Sequence, residues 1–264
     1  MEYSEFNSSA NDTIVFLHGA GIGGWMWKPN IQHLTHFHCI AVDFPGHGES
    51  HGLPWNSFED TAKGVARLIT EKGKNGVAHV VGLSLGGYIA LTLLKIAPHV
   101  VRRTLISGVQ IGKMPYARLI ELSAYAIAPF LHYQRLILMN AKGLRVPQKY
   151  IPDYVKGAKQ FSKQSYLAII KEAVNFEFST EDFPRNKDVL LLAGAREHQR
   201  VLSSLNYFQR LNKVISFIVD DVGHAWSIEA PELFSEVVHA WITVEKMPDQ
   251  LQRTSVVSEQ RSSA

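Results

Sequence analysis

Six short stretches built almost wholly from aliphatic and β-branched residues constrain the fold of this chain more than any other feature. They are Thr13–His18 (TIVFLH), Cys39–Phe44 (CIAVDF), His79–Leu83 (HVVGL), Arg103–Ser107 (RTLIS), Asp188–Ala193 (DVLLLA) and Val214–Val219 (VISFIV). A strand with one face in water alternates apolar and polar side chains, whereas a strand covered on both faces is apolar almost throughout. These runs are of the second kind. Between them, apolar residues recur at helical spacing over Trp55–Lys72, Gly86–Ala97, Val201–Leu211 and Pro231–Val244. Such alternation predicts an α/β fold with a mostly parallel, doubly wound sheet.

One interval breaks the rhythm. From about Gly112 to Asp182 no strand pattern occurs, and helical stretches are punctuated by Pro115, Pro129, Pro147 and Pro152. Within it, Leu119–Met139 is very apolar. The expectation is a helical cap, residues 112–182, inserted into a core made of residues 1–111 and 183–245. Residues 246–264 are rich in Ser, Gln and charge, and read as a poorly ordered tail.

Composition removes several function classes. Hydrophobic residues make up 46% and charged residues 19% of the 264, which suits a large buried core and excludes a disordered chain. Lys and Arg number 27 against 24 acids, with no extended basic run, so nucleic acid is not an expected partner. No apolar run reaches the roughly 18 residues of a membrane span. Met1–Asn11 lacks the basic start and apolar stretch of a secretory signal, so a cytoplasmic location is expected. The glycosylation-like triplets at Asn7 and Asn11 then match by chance. A single cysteine, Cys39, rules out an internal disulfide and multi-cysteine zinc spacing. His33, His36 and His38 lie close together without an acidic neighbour, so no metal site is expected there.

The first strand carries a decoy. Gly19-Ala20-Gly21-Ile22-Gly23-Gly24 satisfies G-x-G-x-x-G directly after a strand, and Asp43 ends the next strand. On spacing alone this is a dinucleotide-binding fingerprint with its ribose-binding acid. Two features oppose it. Trp25-Met26-Trp27 follows where close helix–pyrophosphate packing needs small residues, and Asp43 leads into a turn-rich run, FPGHGES, rather than a helix.

Gly82-Leu83-Ser84-Leu85-Gly86-Gly87 is the sharper signal. It lies between the strand AHVV and the amphipathic stretch YIALTLLKIA, so G-x-S-x-G stands in the strand–turn–helix setting that a nucleophile elbow requires. A sharp turn exposes the Ser84 hydroxyl, and glycines at 82 and 86 let strand and helix approach closely. A Ser hydroxyl is a weak nucleophile at neutral pH and needs a base. Of the 12 histidines, His224 is favoured because Gly223-His224 follows the last strand at the sheet's C-terminal edge.

From about Thr13 to Val244 the chain resembles an α/β-hydrolase of the small, lidded serine esterase type. FLHGAGIGGWMW, VDFPGHGES, GLSLGGYIAL and VDDVGHAWSIEAPELF carry the resemblance, in the family's order. It implies a triad of Ser84, an acid and His224. Glu197, shortly after Gly194 and the strand DVLLLA, occupies the acid's matching place; Asp182 is the competitor, because some members draw the acid from the preceding strand's loop. It further implies an oxyanion hole formed by the backbone N–H groups of Leu85 and Ala20, with His18 bracing the loop. One departure is visible. The antiparallel strands that often precede the first parallel strand have little room in Met1–Asp12, and are expected to be missing or vestigial.

The activity implied is hydrolysis of a small, fairly hydrophobic carboxylic ester through an acyl-enzyme on Ser84, with neither metal nor organic cofactor. Serine at the elbow argues against the dehalogenase and epoxide hydrolase branches, which use Asp there. Trp25 and Trp226 are the expected substrate-binding side chains. Two alternatives remain open. A hydroxynitrile-lyase-like enzyme would reuse the triad with a cationic cap residue, for which Lys113, Lys142 and Lys149 compete. A receptor-like protein would bind the ligand with little turnover.

Overall fold

The computed structural model describes residues 1–112, 114–207, 211 and 213–254. Every apolar run becomes a strand: β2 (Thr13–Leu17), β3 (His38–Val42), β4 (Ala78–Leu83), β5 (Val101–Ser107), β6 (Asp188–Gly194) and β7 (Val214–Val219). With β1 (Tyr3–Phe6) and β8 (Leu251–Arg253) they form one sheet in the order β1-β3-β2-β4-β5-β6-β7-β8. The six inner strands are parallel, and the two outer ones pair antiparallel.

Helices cover both faces. The described ones are α1 (Lys28–Ile31), α2 (Phe58–Lys72), α3 (Leu85–Ile96), α4 (Ala117–Ile127), α5 (Gln134–Gly143), α6 (Ile151–Gln160), α7 (Lys163–Val174), α8 (Gln199–Tyr207), α9 (Trp226–Glu229) and α10 (Pro231–Thr243). The pleat divides each strand between two cores. Val15, Leu17 and Val80 join Val65, Ile69 and Ile89 of α2 and α3 on one side. Ile14, Phe16 and Val81 join Trp27, Phe234 and Trp241 on the other. Burial on both faces is why these strands are apolar throughout. The interval without strands contributes α4 to α7, four helices inserted between β5 and β6. No described helix is long and apolar enough to cross a membrane.

The two ends differ from expectation to different degrees. Of the antiparallel strands expected to be missing or vestigial, Met1–Asp12 keeps one short strand: β1 pairs with β3 from Tyr3↔Val42 to Phe6↔Cys39, and a turn closed by Ala10 N–H on Asn7 O returns the chain to β2. The expected tail is also partly ordered. β8 pairs with β7 from Phe217↔Arg253 to Val219↔Leu251, and Leu251 is buried. An outer β7 would otherwise present a row of unpaired backbone groups, which a short added strand satisfies. The remainder of that tail, residues 255–264, lies outside the described residues, as do 208–210 within the expected Val201–Leu211 helix.

From β2 the chain passes first to β3 on one side and then to β4 on the other, so the loops after β2 and β4 leave in opposite directions. That reversal opens a crevice at the strands' C-terminal ends, where open α/β sheets bind ligands. Its floor is tight. A Cβ at Gly86 would lie 2.0 Å from the Leu17 carbonyl oxygen, and one at Gly82 would lie 2.4 Å from the Gly86 oxygen. Gly86→Ala must therefore push α3 off β2. We expect a loss of about 2 kcal/mol or more in urea unfolding, with a cost near zero contradicting the close approach.

Candidate active site

Ser84 sits between β4 and α3 with φ 56° and ψ −115°, a conformation that L side chains rarely adopt. The backbone on both sides holds it there. Ser84 N–H donates to Ser107 O at 2.9 Å, and the Ser84 carbonyl accepts Gly87 N–H at 2.9 Å and Tyr88 N–H at 3.2 Å. Leu85 is the first residue of α3, so its N–H has no partner within the helix. Gly19 lies over the serine: a Cβ there would be 3.7 Å from Ser84 Cβ.

The glycine-rich loop and Asp43 do belong together, for a structural reason. The Asp43 carboxylate accepts Gly24 N–H at 2.7 Å and Glu49 N–H at 3.1 Å, tying the loop after β2 to the one after β3. A Cβ at Gly48 would meet its Oδ1 at 2.1 Å, and one at Gly23 would approach it to 3.0 Å. The glycines are packed around an acid, and the spacing that imitates a nucleotide site follows from that. His18, wholly buried, adds a second tie: its Nε2 accepts Phe44 N–H at 3.0 Å, while Nδ1 donates to Gly19 O at 2.7 Å. Both roles require neutral imidazole, and burial pushes its pKa down to about 4. His47, its ring 4.9 Å from that of His18 and stacked on Phe161, is pushed down to about 3 by burial and by His18.

His224 and Glu197 meet. The Nδ1 of His224 lies 2.7 Å from Oε2 of Glu197, whose side chain is 1% exposed, while Gly194 N–H donates to its Oε1 at 3.2 Å. Asp182 is engaged elsewhere: Lys95 Nζ lies 2.9 Å from its Oδ1, and Ser179 donates to Oδ2 through N–H and hydroxyl. Lys95 holds the Asp182 carboxyl below the usual carboxylate range.

Two residues that sequence reasoning missed close β5. Gly108 has φ +70°, and a Cβ there would lie 2.8 Å from His224 Cε1, 2.9 Å from Nδ1 and 3.4 Å from Glu197 Oε2. The preceding Ser107 accepts the Ser84 N–H on its carbonyl and the Trp226 indole N–H on its hydroxyl at 2.8 Å. Ser-Gly at a strand end is an ordinary turn signal, so only the fold reveals that this pair touches both the elbow and the imidazole. Glu229 was missed as well. It accepts Gly223 N–H at 3.0 Å, just before His224, and pairs with Arg196 and with Arg145 of the segment between α5 and α6. One carboxylate thus links the inserted helices to the loops carrying His224 and Glu197.

An apolar cavity of about 460 Å³ runs from Ala20 and Gly21 into the inserted helices, where Ile127, Phe130, Tyr154 and Phe161 are among its walls. Among the described residues of its lining, Asn140 Nδ2 donates to Tyr154 OH at 2.9 Å. Neither expected tryptophan lines it. Trp226 is fully buried against Phe234, its N–H spent on Ser107; an apolar residue beside the histidine serves the core here. Trp25 is half-buried, with its ring 6.4 Å from that of Tyr150. Lys142 and Lys149 are exposed and outside the lining, and Lys113 lies outside the described residues.

Two outcomes follow from this geometry. Gly108→Ala should drive the imidazole from Glu197, seen as loss of the low-field Nδ1–H resonance of His224; an unchanged resonance would contradict the packing. The neutral histidines should make the fold acid-sensitive. Because His18 and His47 are held far below the 6.5 of a free imidazole, the unfolded chain binds protons first. Stability is complete above that value and falls as pH drops from 6.5 towards 4, by on the order of a few kcal/mol. His47→Phe should flatten part of that slope in urea melts taken at successive pH values.

Comparison with known proteins agrees with the fold. Part of the chain is 46% identical over 78 residues to a Haemophilus influenzae protein provisionally named 2-succinyl-6-hydroxy-2,4-cyclohexadiene-1-carboxylate synthase, covering 30% of this chain and 32% of that one. A pimeloyl-[acyl-carrier protein] methyl ester esterase from Sodalis glossinidius is 37% identical over 89 residues, 33% of each chain. The chain thus spans about a third of the length of these two relatives. The solved structure of a thermophilic esterase from Thermogutta terrifontis superposes with a TM-score of 0.74 at 17% identity, covering 92% of this chain and 93% of that one. The sequence pattern of the alpha/beta hydrolase family matches residues 14–237. The chain belongs to the alpha/beta hydrolase family.

Proposed function

We propose that this hydrolase cleaves a neutral, hydrophobic carboxylic ester through an acyl-enzyme on Ser84. The observation that carries the reading is the hydrogen bond between His224 Nδ1 and the buried Glu197 carboxylate, at the sheet edge that also presents the Ser84 turn. With Nδ1–H fixed on Glu197, Nε2 is the basic nitrogen. It takes the proton as Ser84 Oγ attacks the ester carbonyl, and the Ala20 and Leu85 N–H groups receive the developing oxyanion. Collapse expels the alcohol, which leaves with the proton from His224. Water then adds to the acyl carbon with His224 again as base, releasing the acid and restoring the serine.

The cavity supports the substrate class. Among the described residues its lining holds no Asp, Glu, Lys or Arg, and it starts beside Ala20, so an uncharged acyl chain fits and a charged one would lose its hydration. The esterase named among the relatives agrees with this chemistry. The positions of Lys142 and Lys149 outside the cavity weigh against a lyase that relies on either.

A panel of p-nitrophenyl esters of graded acyl length, with a lactone and a thioester, should show turnover of the neutral esters. Ser84→Ala should lower kcat by about 10³-fold or more, and Glu197→Gln by about 10²- to 10⁴-fold. Asp182→Asn should leave it near wild type. Abolition by Asp182→Asn with normal turnover in Glu197→Gln would reverse the acid assignment. Ligand binding without turnover across the panel would favour the receptor reading.

A further inference from the structure

The outer face of the inserted helices is apolar where a protein surface is ordinarily polar. Tyr116, Leu119, Leu122, Tyr125, Tyr133 and Met139 are each between 55% and 77% exposed. On α4, Leu119, Leu122 and Tyr125 recur at three-residue spacing along one face, while Ala117 and Ala124 are buried. Ile127, Phe130, Leu136 and Leu138 of the same helices are exposed as well, whereas the large exposed apolar side chains described elsewhere, Leu53, Tyr207 and Val244, are scattered. A patch of this extent marks an interaction surface.

Charge selects the partner. Residues 117–163 carry eight Lys or Arg and only two acids, Glu121 and Asp153, a local excess greater than the +3 of the whole chain. Arg145 and Lys156 are paired with Glu229 and Glu49. Arg118, Arg135, Lys142 and Lys149 are exposed and form no ion pair among the described residues. A second copy of this chain would bring two positive faces together, so an anionic partner fits better. Apolar and aromatic side chains flanked by Lys and Arg are the composition of helices that lie in the headgroup region of an anionic bilayer.

We propose that the outer face of α4 and α5 docks on an anionic lipid surface. Ile127, Phe130 and Leu136 are exposed and also line the cavity, so this surface runs into the cavity wall. On the ester-hydrolase reading, a lipophilic ester passes from the lipid to Ser84 without crossing water. Docking itself does not depend on that reading.

Flotation of the full chain with phosphatidylcholine vesicles, with and without about a third phosphatidylglycerol, tests the proposal. Binding should need the anionic lipid and weaken with salt. Leu119→Ser, Leu122→Ser, Tyr125→Ser and Met139→Ser combined should lower partitioning by about tenfold or more, with an unchanged circular dichroism spectrum. Arg118→Glu with Arg135→Glu and Lys142→Glu should remove the anionic preference. Hydrolysis of a short, water-soluble ester should be the same in all variants, and wild-type protein that binds anionic vesicles yet hydrolyses no ester would count against the hydrolase reading while supporting docking. Wild-type protein that ignores anionic vesicles, or a serine variant that binds them equally well, would overturn the proposal. So would a wild-type dimer that the serine substitutions convert to monomer, which would give the face to a second copy, or capture of an acidic protein without any vesicle binding.

Discussion

The approach of α3 to the end of β2, where Gly86 meets the Leu17 carbonyl without space for a Cβ, governs the whole site. It forces the turn at Ser84 to be sharp and places the strained serine above the crevice between β2 and β4. It also sets the elbow beside β5, where Ser107 receives the Ser84 N–H and Gly108 leaves room for the imidazole. The strained φ of Ser84 costs on the order of 1–3 kcal/mol, which the packing of β4 and α3 on both sides must offset.

Second to this is the cross-bracing of the loops. Asp43 fastens the loop after β2 to that after β3, and His18 repeats the link from within the core. Glu229 gathers Gly223, Arg196 and Arg145 onto one carboxylate. Loops are the mobile part of most α/β folds, and catalysis needs atoms held to a fraction of an ångström. Here buried and half-buried polar side chains supply the rigidity that loop backbone lacks.

The inner strands were legible because burial on both faces leaves a local signature, and Ser84 was legible because its turn admits few residue types. Glu197 was recognisable only by its place after β6; its identity as the partner of His224 over Asp182 depends on distances that no spacing encodes. Trp25 and Trp226 lie outside the apolar cavity's lining. An aromatic residue near a histidine in sequence can pack inward, and Trp226 does so with its indole N–H on Ser107. Gly108 and Glu229 were invisible, since their partners lie far along the chain. The ordered part of the tail escaped because a three-residue strand such as β8 is specified by the edge it pairs with rather than by its own composition.

Treatment with a fluorophosphonate, followed by peptide mass spectrometry, tests the central claim most directly, because it reads the activated serine without knowledge of the substrate. One phosphonyl adduct on Ser84 is predicted, formed rapidly in the wild type and far more slowly when His224 is replaced by alanine. No adduct on Ser84, or one formed equally fast without His224, would contradict the account.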